Sequence, residues 1–378
     1  MKLENVIKPI ETAHGLPNAH YTSLEKYEDE KKALFFQTWS ALAFEADVPK
    51  IGDAFPVDFL GAPLLLVRDK KGDVNVFQNT CRHRGMILVD TPKSLKGPIR
   101  CPYHSWCYDH GGGLIRTPYV GGVDIDTHAA VNPDELGLFK IRSYIWHGVV
   151  FVNISGDAPE FSDAHSDIKA RWQEFNQPYH LGGAVSQFEM MVSTNWKLAI
   201  ENFCESYHLP WVHPELNEIS PINVHYNIDE HENCSGQGSL NYHQLKDAHG
   251  RIFADFENIS DVWDHQSEYV SFFPNVLLGV HRDHAYAVIL CPKGPETTVE
   301  RVALFYADPK IDSPENQDML AENARIWRDV FSEDIGVVEG MQKGRHGPLF
   351  DGGKFSPVMD GPTHIFHKWV ARKMIAAE

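Results

Sequence analysis

Two short segments, Cys81-Arg82-His83 and Cys101-Pro102-Tyr103-His104, constrain the fold more than anything else in the chain; seventeen residues separate them. Each supplies one thiol and one imidazole, so together they make a complete set of four metal ligands. Two segments bring four side chains to one centre only when neighbouring turns present them side by side. The surrounding sequence suits that arrangement. Over residues 40–155 the apolar residues fall into short runs, at 55–60, 63–67, 74–77 and 148–154, separated by glycine, proline or aspartate, the pattern of strands joined by tight turns. The expectation is an all-β N-terminal domain with two ligand-bearing loops.

Two occupants compete for such a ligand set. Zinc would take all four ligands in one tetrahedron, whereas a Rieske [2Fe-2S] centre puts both thiolates on one iron and both imidazoles on the other. Zinc sites of this composition usually group the cysteines together and the histidines together; here each segment supplies one of each, which favours iron. Neutral imidazoles in place of two thiolates remove negative charge and raise the reduction potential to roughly -150 to +300 mV, a range suited to receiving and passing on an electron. The other four cysteines, Cys107, Cys204, Cys234 and Cys291, are too scattered for a disulfide scaffold and read as small buried hydrophobes.

A second constellation runs from Asn195-Trp196-Lys197 to His213-Pro214. Glu205 and His208 lie three apart, which on a helix means one face. Pro210 is expected to interrupt that helix, because it has no N–H and clashes with the preceding turn, so that His213 swings back towards His208. Two converging imidazoles with a carboxylate suit a divalent iron that keeps positions open for oxygen. The same residues would also pass for polar groups at a helix end.

A chain of 378 residues and 42.8 kDa exceeds one ordinary core. The division expected is a helical segment over 1–39, the β-domain over 40–155 and a second, mixed domain over 156–378. Residues 22–39 read as a helix, with Thr22 and Glu25 at capping-box spacing, and residues 163–175 as another. Residues 185–192, 269–280, 286–290 and 299–306 read as strands, residues 315–331 as a long helix, and another helix is expected from near Asp334. The connection over 214–265 is long for a compact domain and reads as a lid or excursion. A net charge of -18 repels a phosphate backbone, which argues against nucleic acid. No apolar run approaches the length that crosses a bilayer, and a cytoplasmic protein is expected.

With both constellations in view, the chain resembles the α subunits of Rieske non-heme iron oxygenases, the aromatic-ring-hydroxylating family, over nearly its whole length. The N-terminal match is the Cys-x-His, Cys-x-x-His pattern with Asn79-Thr80 before it and Ser105-Trp106 after it; family members commonly have Gly where Ser105 stands. The C-terminal match is Asn195-Trp196-Lys197, Glu201-Asn202, Glu205, Tyr207-His208 and His213-Pro214. The resemblance implies an α+β fold: an N-terminal all-β Rieske domain, then a catalytic domain whose antiparallel sheet is surrounded by helices. It implies a [2Fe-2S] cluster on Cys81, His83, Cys101 and His104, and a mononuclear Fe(II) on His208, His213 and one carboxylate from the C-terminal part. Asp334 is the best positional match for that carboxylate, with Glu333 and Glu339 as rivals; otherwise Asp334 would serve as a helix N-terminal acid. Glu205 corresponds to the family's bridging carboxylate, usually Asp, and would link His208 to the cluster ligand His104 of a neighbouring subunit. That implies a homotrimer with head-to-tail contacts.

The resemblance also implies a terminal oxygenase component that consumes O2 and receives NAD(P)H-derived electrons through a separate reductase; the chain has no Gly-rich dinucleotide fingerprint of its own. Glu at the bridge points to the members that oxidise quaternary ammonium compounds such as carnitine, choline and betaine, by N-demethylation or C–N cleavage. A cationic small-molecule substrate needs an aromatic enclosure, for which Tyr207, Trp211, Trp263, Phe272 and Phe273 are available. The alternatives are aromatic ring hydroxylation or O-demethylation at the same iron and, from another class, a Rieske electron carrier without catalysis.

Overall fold

The computed structural model describes residues 2–377, which form two compact units: residues 42–156, and residues 2–41 together with 157–377. The strands are β1 (Ser40–Phe44), β2 (Asp53–Phe59), β3 (Ala62–Arg68), β4 (Val74–Gln78), β5 (Lys93–Ser94), β6 (Ile99–Arg100), β7 (Cys107–Tyr108), β8 (Leu114–Arg116), β9 (Lys140–Trp146) and β10 (Val149–Asn153), followed by β11 (His180–Leu181), β12 (Gln187–Val192), β13 (His225–Ile228), β14 (Cys234–Ser239), β15 (Ser267–Phe272), β16 (Val276–Val280), β17 (His284–Pro292) and β18 (Thr298–Tyr306).

The first unit is all-β. A seven-stranded sheet runs β1-β10-β9-β4-β3-β2-β5, and a three-stranded sheet runs β6-β7-β8. Two of its hairpins close on two-residue turns, Leu60-Gly61 and His147-Gly148, with both central residues at positive φ. That is the turn whose twist matches paired strands, and glycine adopts its second position without strain. The core of this unit includes Leu65, Val67, Phe77, Ile99, Trp106 and Tyr108, and it takes in the two cysteines Cys81 and Cys101 as well.

The second unit is built on an eight-stranded antiparallel sheet, β11-β18-β17-β16-β15-β14-β13, with β12 also paired to β18. The helix Trp196–Phe203 packs on β15 and β17, and the helix Gly361–Ala377 on β14. Several elements differ from the sequence expectation. Ser23, not Thr22, caps the first longer helix, Leu24–Glu30, which continues as a π-helix over Lys31–Phe36. Residues 163–175 split into Phe161–Ala164, Ser166–Arg171 and a 3-10 turn at Gln173–Phe175. Residues 269–280 are two strands of a hairpin rather than one run. The long connection holds β13 and β14, whose Cys-Ser-Gly-Gln-Gly-Ser sequence lacks apolar alternation. Its glycines are required by crowding: a Cβ on Gly236 would meet the Tyr269 carbonyl oxygen at 2.0 Å, and one on Gly238 the Tyr226 ring at 2.1 Å. Finally, the two helices expected at 315–331 and from near Asp334 are one continuous helix, Gln317–Gly344, so Asp334 lies in its interior and is not an N-terminal acid.

Residues 2–41 are tied to the rest of the second unit by a buried ionic cluster. Lys197 Nζ lies 2.6 Å from Glu30 Oε2, and both side chains are fully buried; His20 Nδ1 lies 2.7 Å from the other Glu30 oxygen. Beside them, Glu201 accepts from Tyr21 Oη at 2.5 Å and faces His367 Nε2 at 3.2 Å and Arg345 Nη2 at 3.4 Å. Removing one partner of such a pair strands the other as an uncompensated buried charge. Lys197→Met is therefore expected to destabilise this unit by about 3–5 kcal/mol, and the added substitution Glu30→Gln to restore much of the loss. Chemical denaturation checks this; a single-variant loss below about 1 kcal/mol would contradict it.

Candidate metal centres and substrate pocket

The two cysteine-bearing loops share one backbone design. In each, the cysteine N–H donates to the carbonyl five residues on, Cys81 to Met86 and Cys101 to Trp106, both at 2.8 Å. In each, the residue four on donates back to the cysteine carbonyl, Gly85 at 2.9 Å and Ser105 at 3.0 Å. That fourth residue has positive φ in both loops, 73° for Gly85 and 59° for Ser105. The family's usual Gly at the second position thus has a physical reason, and the serine here adopts a left-handed backbone at a modest cost. The loops place Cys81 and Cys101 in the core, leave His83 exposed and His104 half-buried, and bring the two imidazole centroids to 4.7 Å. Trp106 stacks on His83 at 4.8 Å and 10°. Tyr108 Oη accepts from the Arg82 N–H at 3.0 Å, which leaves its own proton for Cys81 Sγ at 3.3 Å. Burial pushes the Cys81 thiol up, with the hydrogen bonds from Tyr108 and His83 opposing and Cys101 adding to it. Burial, with His104 and Arg84, holds His83 below its ordinary range, which keeps it neutral as a ligand must be. The Nδ1 of His104 is buried without a hydrogen-bond partner. Two inner thiols and two outer imidazoles, one with an unsatisfied ring nitrogen, fit a [2Fe-2S] centre of mixed ligation.

In the second unit, Asn195 caps the Trp196–Phe203 helix, its side chain accepting from the Lys197 N–H at 3.0 Å. The helix stops at Phe203, so Glu205 and His208 sit in the turn that follows rather than on a helix face. Pro210 does not break a helix but starts one. It lies in the first turn of Leu209–Val212, and Pro214 opens Pro214–Ile219 in the same way, positions where a missing N–H costs nothing. His208 and His213 therefore flank a single helical turn, with ring centroids 5.2 Å apart.

Opposite them stands Asp334. Its Oδ1 lies 2.9 Å from His213 Nε2 and 3.6 Å from His208 Nε2. On the far side of each ring a second carboxylate holds Nδ1: Glu205 Oε1 at 2.7 Å from His208, and Glu333 Oε2 at 2.6 Å from His213. Glu205 Oε2 also accepts from the Tyr207 and His208 N–H groups. Both imidazoles thus turn Nε2 toward one point, and the donor atoms of His208, His213 and Asp334 all lie within 4.8 Å of one another. Of the rival acids, Glu333 serves the outer nitrogen of His213 and Glu339 accepts from the Ser193 N–H at 3.0 Å. Burial alone would depress His213, but Asp334 and Glu333 outweigh it and raise its pKa. Two imidazoles and one carboxylate on one side, each ring oriented from behind, suit a divalent iron with open positions.

The three donors open into a pocket of about 540 Å³ of empty space, part of it continuous with solvent. Phe203, Tyr269, Tyr286, Trp327 and Phe331 supply its aromatic walls, and Ser220, His225 and Gln237 its polar one. None of the five aromatics expected from the sequence lines it. Tyr207 and Trp211 are exposed on the surface, and Trp263, Phe272 and Phe273 belong to the core. Of the aromatics that do line it, Tyr269 and Tyr286 come from strands distant in sequence, whereas Trp327, Phe331 and Asp334 recur at four- and three-residue spacing on one helix face, a signal open to sequence reading. Trp327 is held in place: its Nε1–H donates to His284 Nε2 at 2.9 Å, while His284 Nδ1 faces Asp283 Oδ1 at 2.9 Å.

The sequence signature of the Rieske [2Fe-2S] domain matches residues 38–135, and that of the ring hydroxylating alpha subunit (catalytic domain) matches residues 179–376. The chain belongs to the ring-hydroxylating alpha subunit family. This alpha subunit is the terminal component of a Rieske non-heme iron oxygenase, with a [2Fe-2S] cluster and a mononuclear iron as its cofactors. Its relatives include the chloroplastic choline monooxygenase of Atriplex hortensis, 24% identical over 371 residues covering 96% of this chain and 78% of the relative. The carnitine monooxygenase oxygenase subunit of Escherichia coli K12 is 25% identical over 344 residues, 90% of this chain and 87% of the relative. A solved quaternary ammonium Rieske monooxygenase, studied for carnitine oxidation and inter-subunit electron transfer, superposes with a TM-score of 0.79 over 99% of this chain and 98% of that one at 20% identity, a likeness of fold. Among the described residues no helix is long and apolar enough to cross a membrane.

Proposed function

We propose that this alpha subunit oxidises a quaternary ammonium compound, by N-demethylation or C–N cleavage, with electrons that a partner reductase draws from NAD(P)H. In this reading His208, His213 and Asp334 hold the iron, and Cys81, His83, Cys101 and His104 hold the cluster. The observation that carries the reading is the pocket itself: three converging donors open onto Tyr269, Tyr286 and Trp327, and the histidines aside, its lining includes one acidic and no basic side chain, Asp334 being the acid. Aromatic faces attract a cation whose charge is spread over methyl groups, and no lysine or arginine stands beside them. The relatives that act on choline and carnitine agree with it.

The bound iron supplies oxygen activation; the residues of this chain supply the rest. Glu205 and Glu333 fix the tautomer of each imidazole, so that Nε2 carries a lone pair toward the metal. The aromatic walls exclude water and set a C–H bond of the substrate near the reactive position. In this reading Glu205 would also meet the His104 that a neighbouring copy presents, which makes a head-to-tail trimer part of the reading. Two exposed apolar groups support it: Met86 and Tyr103 beside the cluster loops, and Tyr207 and Trp211 beside Glu205. Light scattering on the purified protein tests the assembly, with about three times 42.8 kDa expected.

The central experiment supplies methylated ammonium compounds and aromatic acids, with a compatible reductase, and follows substrate-dependent oxygen uptake and aldehyde release. Uptake only with aromatic compounds would move the function to ring hydroxylation or O-demethylation, which the same apolar walls also admit. Trp327→Ala is expected to weaken binding of a methylated ammonium ligand about tenfold, measured by calorimetry, with iron content unchanged.

A further inference from the structure

The register of the second unit's sheet lays a polarity gradient across the pocket. Gln237 on β14 pairs with Tyr269 on β15, Tyr269 with Gly279 on β16, and Gly279 with Tyr286 on β17. Tyr286 lies over Gly279, where any Cβ would meet its ring at 2.4 Å. One row of residues thus runs from an amide, with His225 beside it, to an aromatic wall.

At the polar end the side chains are joined in one hydrogen-bonded row. The Asn241 N–H donates to Ser239 Oγ at 3.1 Å, Ser239 Oγ lies 2.5 Å from Ser220 Oγ, and His225 Nε2 lies 2.9 Å from Ser220 Oγ and 3.2 Å from the Ser220 carbonyl oxygen. His225 Nδ1–H then donates to Gln237 Oε1 at 2.7 Å, and Gln237 Nε2–H to the Glu205 carbonyl at 3.2 Å. The Glu205 carbonyl can only accept, so the Gln237 amide turns its Nε2–H to it and its Oε1 to His225, which places a proton on His225 Nδ1. Both ring nitrogens of His225 face neutral partners, Gln237 Oε1 at Nδ1 and the Ser220 hydroxyl and carbonyl at Nε2, and no carboxylate is bonded to the ring. Burial also holds it below its ordinary range, against the bonds to Gln237 and Ser220. The wall therefore carries no charge.

We propose that this pocket selects substrates whose far end is a neutral hydroxyl or carbonyl, docked on Ser220, His225 and Gln237, and rejects those whose far end is a carboxylate. The proposal rests on the ammonium reading above for the other end of the substrate, which lies against Tyr269, Tyr286 and Trp327. A hydroxyl can donate to the free lone pair of Gln237 Oε1 or accept from its second Nε2–H. A carboxylate would give up its hydration with no lysine or arginine among the lining residues to replace it.

The test is calorimetry on the anaerobic holoenzyme with four ligands: choline, glycine betaine, and the neutral-headed analogues in which a tert-butyl group replaces the trimethylammonium of each. Choline is expected to bind ~100-fold more tightly than glycine betaine, and the neutral alcohol more tightly than its acid. Equal or tighter binding of the carboxylated member in both pairs overturns the proposal and leaves the ammonium reading intact. Tighter binding of the neutral alcohol than of choline overturns the ammonium reading, while the preference of alcohol over acid still supports the neutral wall. Failure of both alcohols to bind overturns the proposal outright.

Discussion

Asp334→Ala is expected to strip the mononuclear iron from the protein, leave the [2Fe-2S] cluster in place and lower turnover by about a thousandfold or more. The two imidazoles remain oriented in this variant, because Glu205 and Glu333 hold them from the outer side. What is lost is the one anionic donor on the inner side, 2.9 Å from His213 Nε2, and with it the charge that balances a dication. Metal analysis should fall from about three irons per chain to about two, with the visible spectrum of the cluster unchanged. Alanine is a good helix former, and Asp334 lies within Gln317–Gly344, so the helix itself should persist. Two companions separate the acids. Glu333→Gln should weaken iron binding about 10–100-fold by loosening His213, and Glu339→Gln should leave it unaltered. Full iron content in Asp334→Ala would remove this residue from the ligand set.

The second large effect concerns Glu205. Its carboxylate holds His208 Nδ1 with one oxygen and takes the Tyr207 and His208 N–H groups with the other, so Glu205→Ala would disturb the iron as well as any link to a neighbouring copy. Glu205→Gln keeps the shape and one acceptor oxygen, which can stay on His208 Nδ1, but removes the charge and replaces the other oxygen with an NH2 donor. With this variant both metals should stay bound, while re-oxidation of the reduced cluster on mixing with oxygen and substrate slows by about a hundredfold or more. Stopped-flow absorbance of the cluster reads that step directly. An unchanged rate with full metal content would show that electrons reach the iron by a route that avoids Glu205.

The paired Cys-His loops of the Rieske domain could be read from the chain because their pattern is local. A cysteine and a histidine within four residues, repeated once, leave few geometries, and the intervening short strands agree with the all-β unit that the structure contains. The strands at 55–60, 63–67 and 299–306 lie where alternation and turn residues place them. The reading failed where packing overrides pattern. β14 is a strand of Cys, Ser, Gly and Gln because Tyr226 and Tyr269 crowd its face, and crowding leaves no hydrophobic period. The helix containing Asp334 runs without a break because its neighbours bury it on several turns, although glycines at 336, 340 and 344 weaken its local propensity.

Residue types and their spacing along the chain by themselves determined which side chains can bind metal, the order of the two units and the family to which they belong. Only the tertiary structure decided what surrounds those side chains. That Glu333 stands behind His213, that Pro210 starts a turn, and that Tyr269, Tyr286 and Trp327 rather than Tyr207 and Trp211 wall the pocket all depend on strand register and helix packing. These bring together residues up to a hundred or more positions apart, and no spacing along the chain records such a distance in space.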